Sequence, residues 1–366
     1  MRKRICYIHI GPHKTGSTSI QWFLKENRAA LLQHGYLVPE SGTKHGAHHA
    51  LARKLCGQEL RAHQQSVAAD FARALDETPS EAVIISSEEL GDLFIHQNYA
   101  RAFFARIREL NLEPKLVLFP RNPPQQINSL YSSVVRSFCR SDPFDAFVQE
   151  TTQRSDLRYS PFIELADTHN AELIAQPFTK KTTARGVVPE FLQIFGLDAS
   201  EFRNTDARLN EDAGPFAVSV ARAVTRLICR DGNQLKWRQA VQCKNRLAAY
   251  LEENKLVDAR YCGLTTALAR QIERELRPDN DAFAQRVWDR PWAAIFSTDI
   301  GEEFTPNDFN ICRPDESTGR RLQQAIREMT VIAEQVMADP ALAVNAPWNN
   351  FLQRAGWPTR AEESCR

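Results

Sequence analysis

ICYIHIGPHKTGSTSIQ, residues 5–21, opens with a short apolar run, Ile5, Cys6, Tyr7, Ile8 and Ile10, rich in β-branched and aromatic side chains. A run of that length and composition reads as a buried parallel strand, not a helix. Gly11-Pro12 breaks it, and Gly16 sits in a tight polar turn. Ser17, Thr18 and Ser19 are natural helix openers, and Ile20, Phe23, Leu24, Asn27 and Leu31 follow at helical spacing. Strand, glycine-containing loop and helix N-terminus together make an anion site. The first-turn N–H groups have no intrahelical partner and carry the positive end of the helix dipole. The loop is therefore expected to hold a phosphate.

Composition sets the outer bounds. The chain has 366 residues, 43% of them hydrophobic, enough for one large α/β domain or two smaller ones. Lys and Arg number 46 against 45 Asp and Glu, a net charge of +1, which argues against bulk nucleic-acid binding. Met1-Arg-Lys-Arg resembles a signal n-region, but the apolar run behind it falls short of the roughly 7–15 residues a secretory segment needs. No stretch approaches the ~20 apolar residues of a membrane span. The eight cysteines are scattered without a CxxC pair and read as reduced structural thiols, so a cytoplasmic location is expected.

Further along, Ala82-Val-Ile-Ile-Ser-Ser87 is a second buried strand with Glu88 and Glu89 at its end, where open α/β sheets place ligands. Lys115–Phe119 (KLVLF) is a third strand, and Glu172–Phe178 (ELIAQPF) a fourth. Helical spacing marks residues 59–77, 99–110, 162–174 and 187–195 between them. From about Asn210 convincing strands stop, and helices around Phe216–Leu227 and Leu322–Val336 take over. The expected fold is α/β: a central parallel sheet flanked by helices over residues 1–200, with a mainly helical extension over 201–366. His45, His48 and His49 lie close together, but no companion cluster completes a four-ligand metal site, so a solvated or substrate-facing loop is the favoured reading.

Gly11 and Gly16 have P-loop spacing, yet Ser17 stands where a Walker lysine belongs, and Lys14 precedes Gly16 instead. GPHKTGST (11–18) resembles the 5′-phosphosulfate loop of sulfotransferases that use 3′-phosphoadenosine 5′-phosphosulfate (PAPS). A second motif matches the same family: LVLFPRNPPQQINSLY carries Arg121 after a strand, Asn122-Pro123 directly behind it, and Ser129 eight residues on. Alone, the pair reads as a surface arginine and a helix-face serine. Together with the loop, the two motifs are similar to the 5′- and 3′-phosphate sites of PAPS-dependent sulfotransferases. The cytosolic type's C-terminal Arg-Lys-Gly loop is absent, which favours the bacterial carbohydrate-type branch. The resemblance covers residues 5–200 and implies a P-loop-like three-layer core.

It also implies roles. Gly11, His13, Lys14, Thr15, Gly16, Ser17, Thr18 and Ser19 would cradle the 5′-phosphate, Arg121 and Ser129 would bind the 3′-phosphate, and Lys14 would offset charge on the bridging oxygen in the transition state. Glu88 would act as catalytic base, its pKa raised by partial burial. Glu89, His48 and His49 are alternative bases or substrate contacts. PAPS would be the donor, PAP the product and the hydroxyl of a carbohydrate or glycoconjugate the acceptor, with no metal. The family's adenine-contacting aromatic falls at Phe178, but the glutamate that should follow is missing, and core packing suits Phe178 better. Two other readings stay open. One is a P-loop kinase or NTPase, which lacks here both the lysine after Gly16 and a strand-end aspartate for Mg²⁺. The other is a non-catalytic nucleotide- or glycan-binding protein on the same fold.

Overall fold

The computed structural model describes residues 3–154, 157–203, 213–230, 235–256 and 258–343. The described residues contain five strands: β1 (Arg4–His9), β2 (Tyr36–Leu37), β3 (Ala82–Ser86), β4 (Leu112–Leu118) and β5 (Glu172–Ala175). They form one sheet in the order β2-β3-β1-β4-β5, with every pair parallel. β1 is central because its side chains are apolar on both faces. Cys6, Ile8 and Ile10 enter one core with Val83, Ile85, Leu116 and Leu118, while Tyr7 enters the other with Ile84, Val117 and Phe119. Helices cover both faces, as an all-parallel sheet demands. Ser17–Glu26 and Val187–Gln193 supply the Tyr7 side; Val67–Glu77, Gln97–Glu109 and Ser160–Thr168 supply the Cys6 side.

The chain leaves β1 toward β2 and leaves β4 toward β5, so the connections diverge between two adjacent strands. That topological switch lies at the carboxyl ends of β1 and β4, the place where open α/β sheets bind ligands. The loop after β1 and Arg121 after β4 both arrive there.

Two expectations need correction. The helix expected from Ile20 through Leu31 breaks at Asn27 into Ser17–Glu26 and Arg28–Gln33. Asn27 is buried, donates to the carbonyls of Phe23 and Arg203 and accepts from the Arg203 N–H, so its amide serves tertiary ties in place of helix continuity. β5 ends at Ala175, and Phe178 pairs with Arg121 only through an isolated parallel bridge. Two compact units interleave along the chain. One comprises Met1–Asn122, Ser155–Asn210 and Leu276–Gly301; the other comprises Pro123–Arg154, Glu211–Glu275 and Glu302–Arg366. Phe283, Ala284, Trp292 and Phe296, far beyond the last strand, lie in the same core as Cys6 and Ile8.

The second unit contains no strand among its described residues. Its helix Pro215–Ile228 packs on Pro123–Arg136, Trp237–Glu253 and Glu316–Ala338. Inside it, Arg222 donates to both carboxylate oxygens of Asp308 (2.8 and 2.6 Å) and to the Tyr131 hydroxyl (2.8 Å), while Tyr261 donates to Asp308 at 2.6 Å. Both charged side chains are almost fully buried. No described helix is long and apolar enough to cross a membrane, and the seven described cysteines are free; Cys365 lies outside the described residues.

Asp308→Ala leaves the Arg222 guanidinium buried without its carboxylate and is expected to destabilise the protein by about 3–5 kcal/mol. Urea denaturation reads this directly. Replacing both charges, Arg222→Met with Asp308→Leu, should recover most of the loss.

Candidate functional site

The loop after β1 has a backbone that few residues adopt freely. Lys14 takes a left-handed backbone, φ 68°, and Gly16 does so again at φ 83°, ψ 12°. Two left-handed residues, separated by one, bend the chain between β1 and the helix that follows. A Cβ on Gly16 would stand 2.7 Å from Val187 Cγ1, so glycine is required there by space as well as by φ. Thr15 is buried, and its hydroxyl donates to the Pro12 carbonyl at 2.8 Å, closing the turn from within.

The helix Ser17–Glu26 starts directly behind. Gly16 offers it no side-chain cap, and its first turn has no acidic residue to offset the helix dipole. Ser17 is 7% exposed, and its Oγ has no hydrogen-bond partner among the described residues. A buried hydroxyl of this kind can donate to a group that enters from outside the chain. Thr18 is exposed and Ser19 half-buried beside it.

Arg121 reaches this loop from β4. Its Nη1 donates to the Lys14 carbonyl at 2.7 Å, and its guanidinium carbon lies 5.4 Å from the centre of the Phe178 ring. Phe178 itself is buried and touches the Gly16 position. The Arg121 backbone is gripped from both sides by the Tyr159 hydroxyl, which accepts from Arg121 N (2.9 Å) and donates to Arg121 O (3.0 Å). Tyr159 is held in turn by Asp279, which accepts from its N–H at 2.8 Å, and by stacking on Trp292.

On the β3 side an acid–base cluster gathers. Gln21, one turn into the helix, donates to Glu88 Oε2; His49 Nε2 lies 3.8 Å from Glu88 Oε1. His13 in the loop pairs with Asp92 Oδ2 at 3.2 Å. Burial pushes the Glu88 carboxyl up, but His49, His13 and the Gln21 amide outweigh it and hold the group below the usual carboxylate range. The expectation of a raised Glu88 pKa is therefore reversed: its surroundings favour the anion. Glu89 is engaged differently. Arg53 grips both its oxygens, Nε to Oε2 at 2.6 Å and Nη2 to Oε1, which removes it as an open proton acceptor.

The three histidines of the 45–49 stretch separate. His45 is exposed. His48, expected as a substrate contact, is fully buried: its Nε2 faces the Pro39 carbonyl at 2.9 Å and its Nδ1 accepts from Ser86 N at 3.2 Å. Burial lowers its pKa to about 4, so it is a neutral structural ring. Only His49 faces the cluster, with Nδ1 2.9 Å from Ser87 Oγ. Ser129 lies buried on the helix Pro123–Arg136, its carbonyl accepting from Ser132 Oγ, and belongs to the second unit.

Gln21, Arg53, Asp92 and Tyr159 take part in this arrangement without having been singled out by sequence. Gln21 follows Ser17 by four, so helix phase alone could have put it on the loop's side. Nothing local marks Tyr159, whose role depends on chain that returns from far away. No family model, no curated protein and no solved structure matches this chain.

Gly16→Ala combines strain at positive φ with a clash against Val187. It is expected to abolish anion binding at the loop, measured by calorimetry, while circular dichroism stays close to that of the parent.

Proposed function

We propose that the protein is a sulfotransferase that moves the sulfuryl group of PAPS to an acceptor hydroxyl, that of a carbohydrate or glycoconjugate, on a P-loop-like core. The observation that carries this reading is the unpartnered, buried Ser17 hydroxyl at an uncapped helix N-terminus, in a loop that holds Lys14 and is clamped by Arg121. These groups suit the 5′-phosphate and its sulfate: N–H donors, hydroxyls and a lysine cation, all complementary to anionic oxygen. A Walker-type nucleotide site would need its lysine at position 17, where serine stands.

In this reading the backbone N–H groups from Thr15 to Thr18 and the hydroxyls of Ser17, Thr18 and Ser19 cradle the 5′-phosphate. Lys14 offsets the charge that builds on the oxygen between sulfur and phosphorus as the bond breaks. Arg121, through its planar fork, takes the 3′-phosphate, the phosphate to which the resemblance also assigns Ser129. Glu88 receives the acceptor's proton while the hydroxyl oxygen attacks sulfur in line with the departing phosphate. A carboxylate whose surroundings hold it ionised is ready at neutral pH, and Gln21 and His49 fix its orientation. The carbohydrate class of the acceptor follows from the motif resemblance.

Calorimetry with PAP, run beside AMP, ADP and ATP with and without Mg²⁺, tests the donor site. The expected result is PAP binding that Arg121→Ala removes, with weak binding of ATP. Mg²⁺-dependent ATP binding, or indifference to the 3′-phosphate, would point to a kinase or NTPase instead. Lys14→Ala should lower kcat by about 10²–10³, the loss typical of removing one preorganised donor to developing charge; unchanged turnover would remove that role.

The pH profile supplies a separate check. Glu88 must be deprotonated to act, and its pKa lies below the usual range, so the acid limb of kcat/KM should fall below the ordinary glutamate value of about 4.3. His49→Ala removes the largest interaction that lowers this pKa and leaves burial to push it up. The acid limb should then move to higher pH.

A further inference from the structure

We propose that His9 is a positioning residue for Ser17: anchored to Ser86 through Nδ1, its imidazole presents an Nε2–H to the Ser17 hydroxyl and so directs that hydroxyl's own proton to the bound anion. The inference rests on reading the loop after β1 as an anion site.

His9 closes β1, pairs in register with Ser86 at the end of β3, and is completely buried. Its Nδ1 lies 2.8 Å from Ser86 Oγ, while its Nε2 is buried without a partner among the described residues. The ring meets Phe119 edge-on at 5.8 Å and Phe191 at 6.0 Å, so it has little freedom to turn elsewhere. Burial pushes its pKa down to about 4, against a smaller opposing pull from Glu88, and at neutral pH the ring carries one proton. When Ser86 O–H donates to Nδ1, that proton sits on Nε2 and needs an acceptor.

Ser17 Oγ is the other buried polar atom of this loop that lacks a partner. Both face one small space. A Cβ on Gly11 would lie 2.7 Å from Ser17 Oγ and 3.1 Å from His9 Nε2, so it is the bare glycine that leaves the two atoms room to meet. A modest turn of the Ser17 side chain completes a directed chain: Ser86 O–H to His9 Nδ1, His9 Nε2–H to Ser17 Oγ, Ser17 O–H to an anion oxygen. The Ser17 hydroxyl then accepts one hydrogen bond and donates another, and successive bonds polarise one another in the same sense. Ser86 is itself secured by His48, whose N–H donates to the Ser86 carbonyl (2.8 Å) and whose Nδ1 accepts from Ser86 N. The buried His48 therefore acts on the same line, two elements away from the loop.

The test is a double-mutant cycle on PAP affinity, with His9→Phe, Ser17→Ala, the pair together, and His9→Gln, whose amide N–H can occupy the place of Nε2–H. Each of the first two changes should weaken PAP by about tenfold, the order expected for one hydrogen bond to a charged ligand. The pair together should be no weaker than Ser17→Ala alone. His9→Gln should bind PAP like the parent. Nitrogen NMR of the PAP-bound parent should show His9 protonated on Nε2. Additive losses in the pair, parent-like binding by His9→Phe, or a proton on Nδ1 would each overturn the relay while leaving the anion site in place. Failure of the parent to bind PAP would overturn both. If His9→Phe melts well below the parent, the tautomer measurement on the parent decides by itself.

Discussion

Arg121 donates to the carbonyl of Lys14, and that one bond ties the end of β4 to a loop whose backbone is left-handed at Lys14 and Gly16. The loop cannot hold this shape by local preference. A lysine at positive φ is strained, and Gly16 pays in chain entropy for its freedom. The surrounding structure therefore imposes the conformation: Arg121 from one strand, Thr15 closing on Pro12, Phe178 and Val187 filling the space where a side chain at position 16 would go. Arg121 is fixed in its turn by Tyr159, and Tyr159 by Asp279 and Trp292. A line of contacts thus runs from the 276–301 segment to the loop's own backbone.

The same arrangement explains why the charged groups near the loop are not equivalent. Glu88 and Glu89 are neighbours in sequence and differ entirely in circumstance. Glu89 meets a guanidinium in two-point contact, which satisfies both oxygens. Glu88 meets an amide and a more distant imidazole, which hold it ionised yet leave it capable of receiving a proton. His48 and His49, also adjacent, divide in the same way: successive residues at the start of a helix point in different directions, one into the core against Pro39 and Ser86, the other toward Glu88.

Interleaving of the two units has a physical origin as well. An amphipathic helix declares that it has an apolar face, not which surface that face will cover. Phe283, Trp292 and Phe296 are as apolar as any residue of the helices in the second unit, yet they complete the core beneath β1. The helix Pro123–Arg136, directly after β4, packs instead on Pro215–Ile228.

What the sequence alone determined is the part governed by short-range physics. The buried strands, the glycine break after β1, the helix that starts at Ser17 and the parallel α/β class all follow from apolar runs, turn residues and periodicity over a dozen residues. The candidacy of Lys14, Ser17, Arg121 and Glu88 as the residues of a site came from the resemblance of two short motifs. The tertiary structure decided what depends on partners distant in the chain: that Arg121 clasps the loop, that Tyr159 and Asp279 steady Arg121, that Glu89 is occupied by Arg53, and that the Glu88 carboxyl is lowered and not raised. The sign of that last shift is a balance between burial and three neighbours drawn from three separate segments. No local pattern encodes such a balance, because desolvation and Coulomb interactions depend on distance in space and not on separation along the chain.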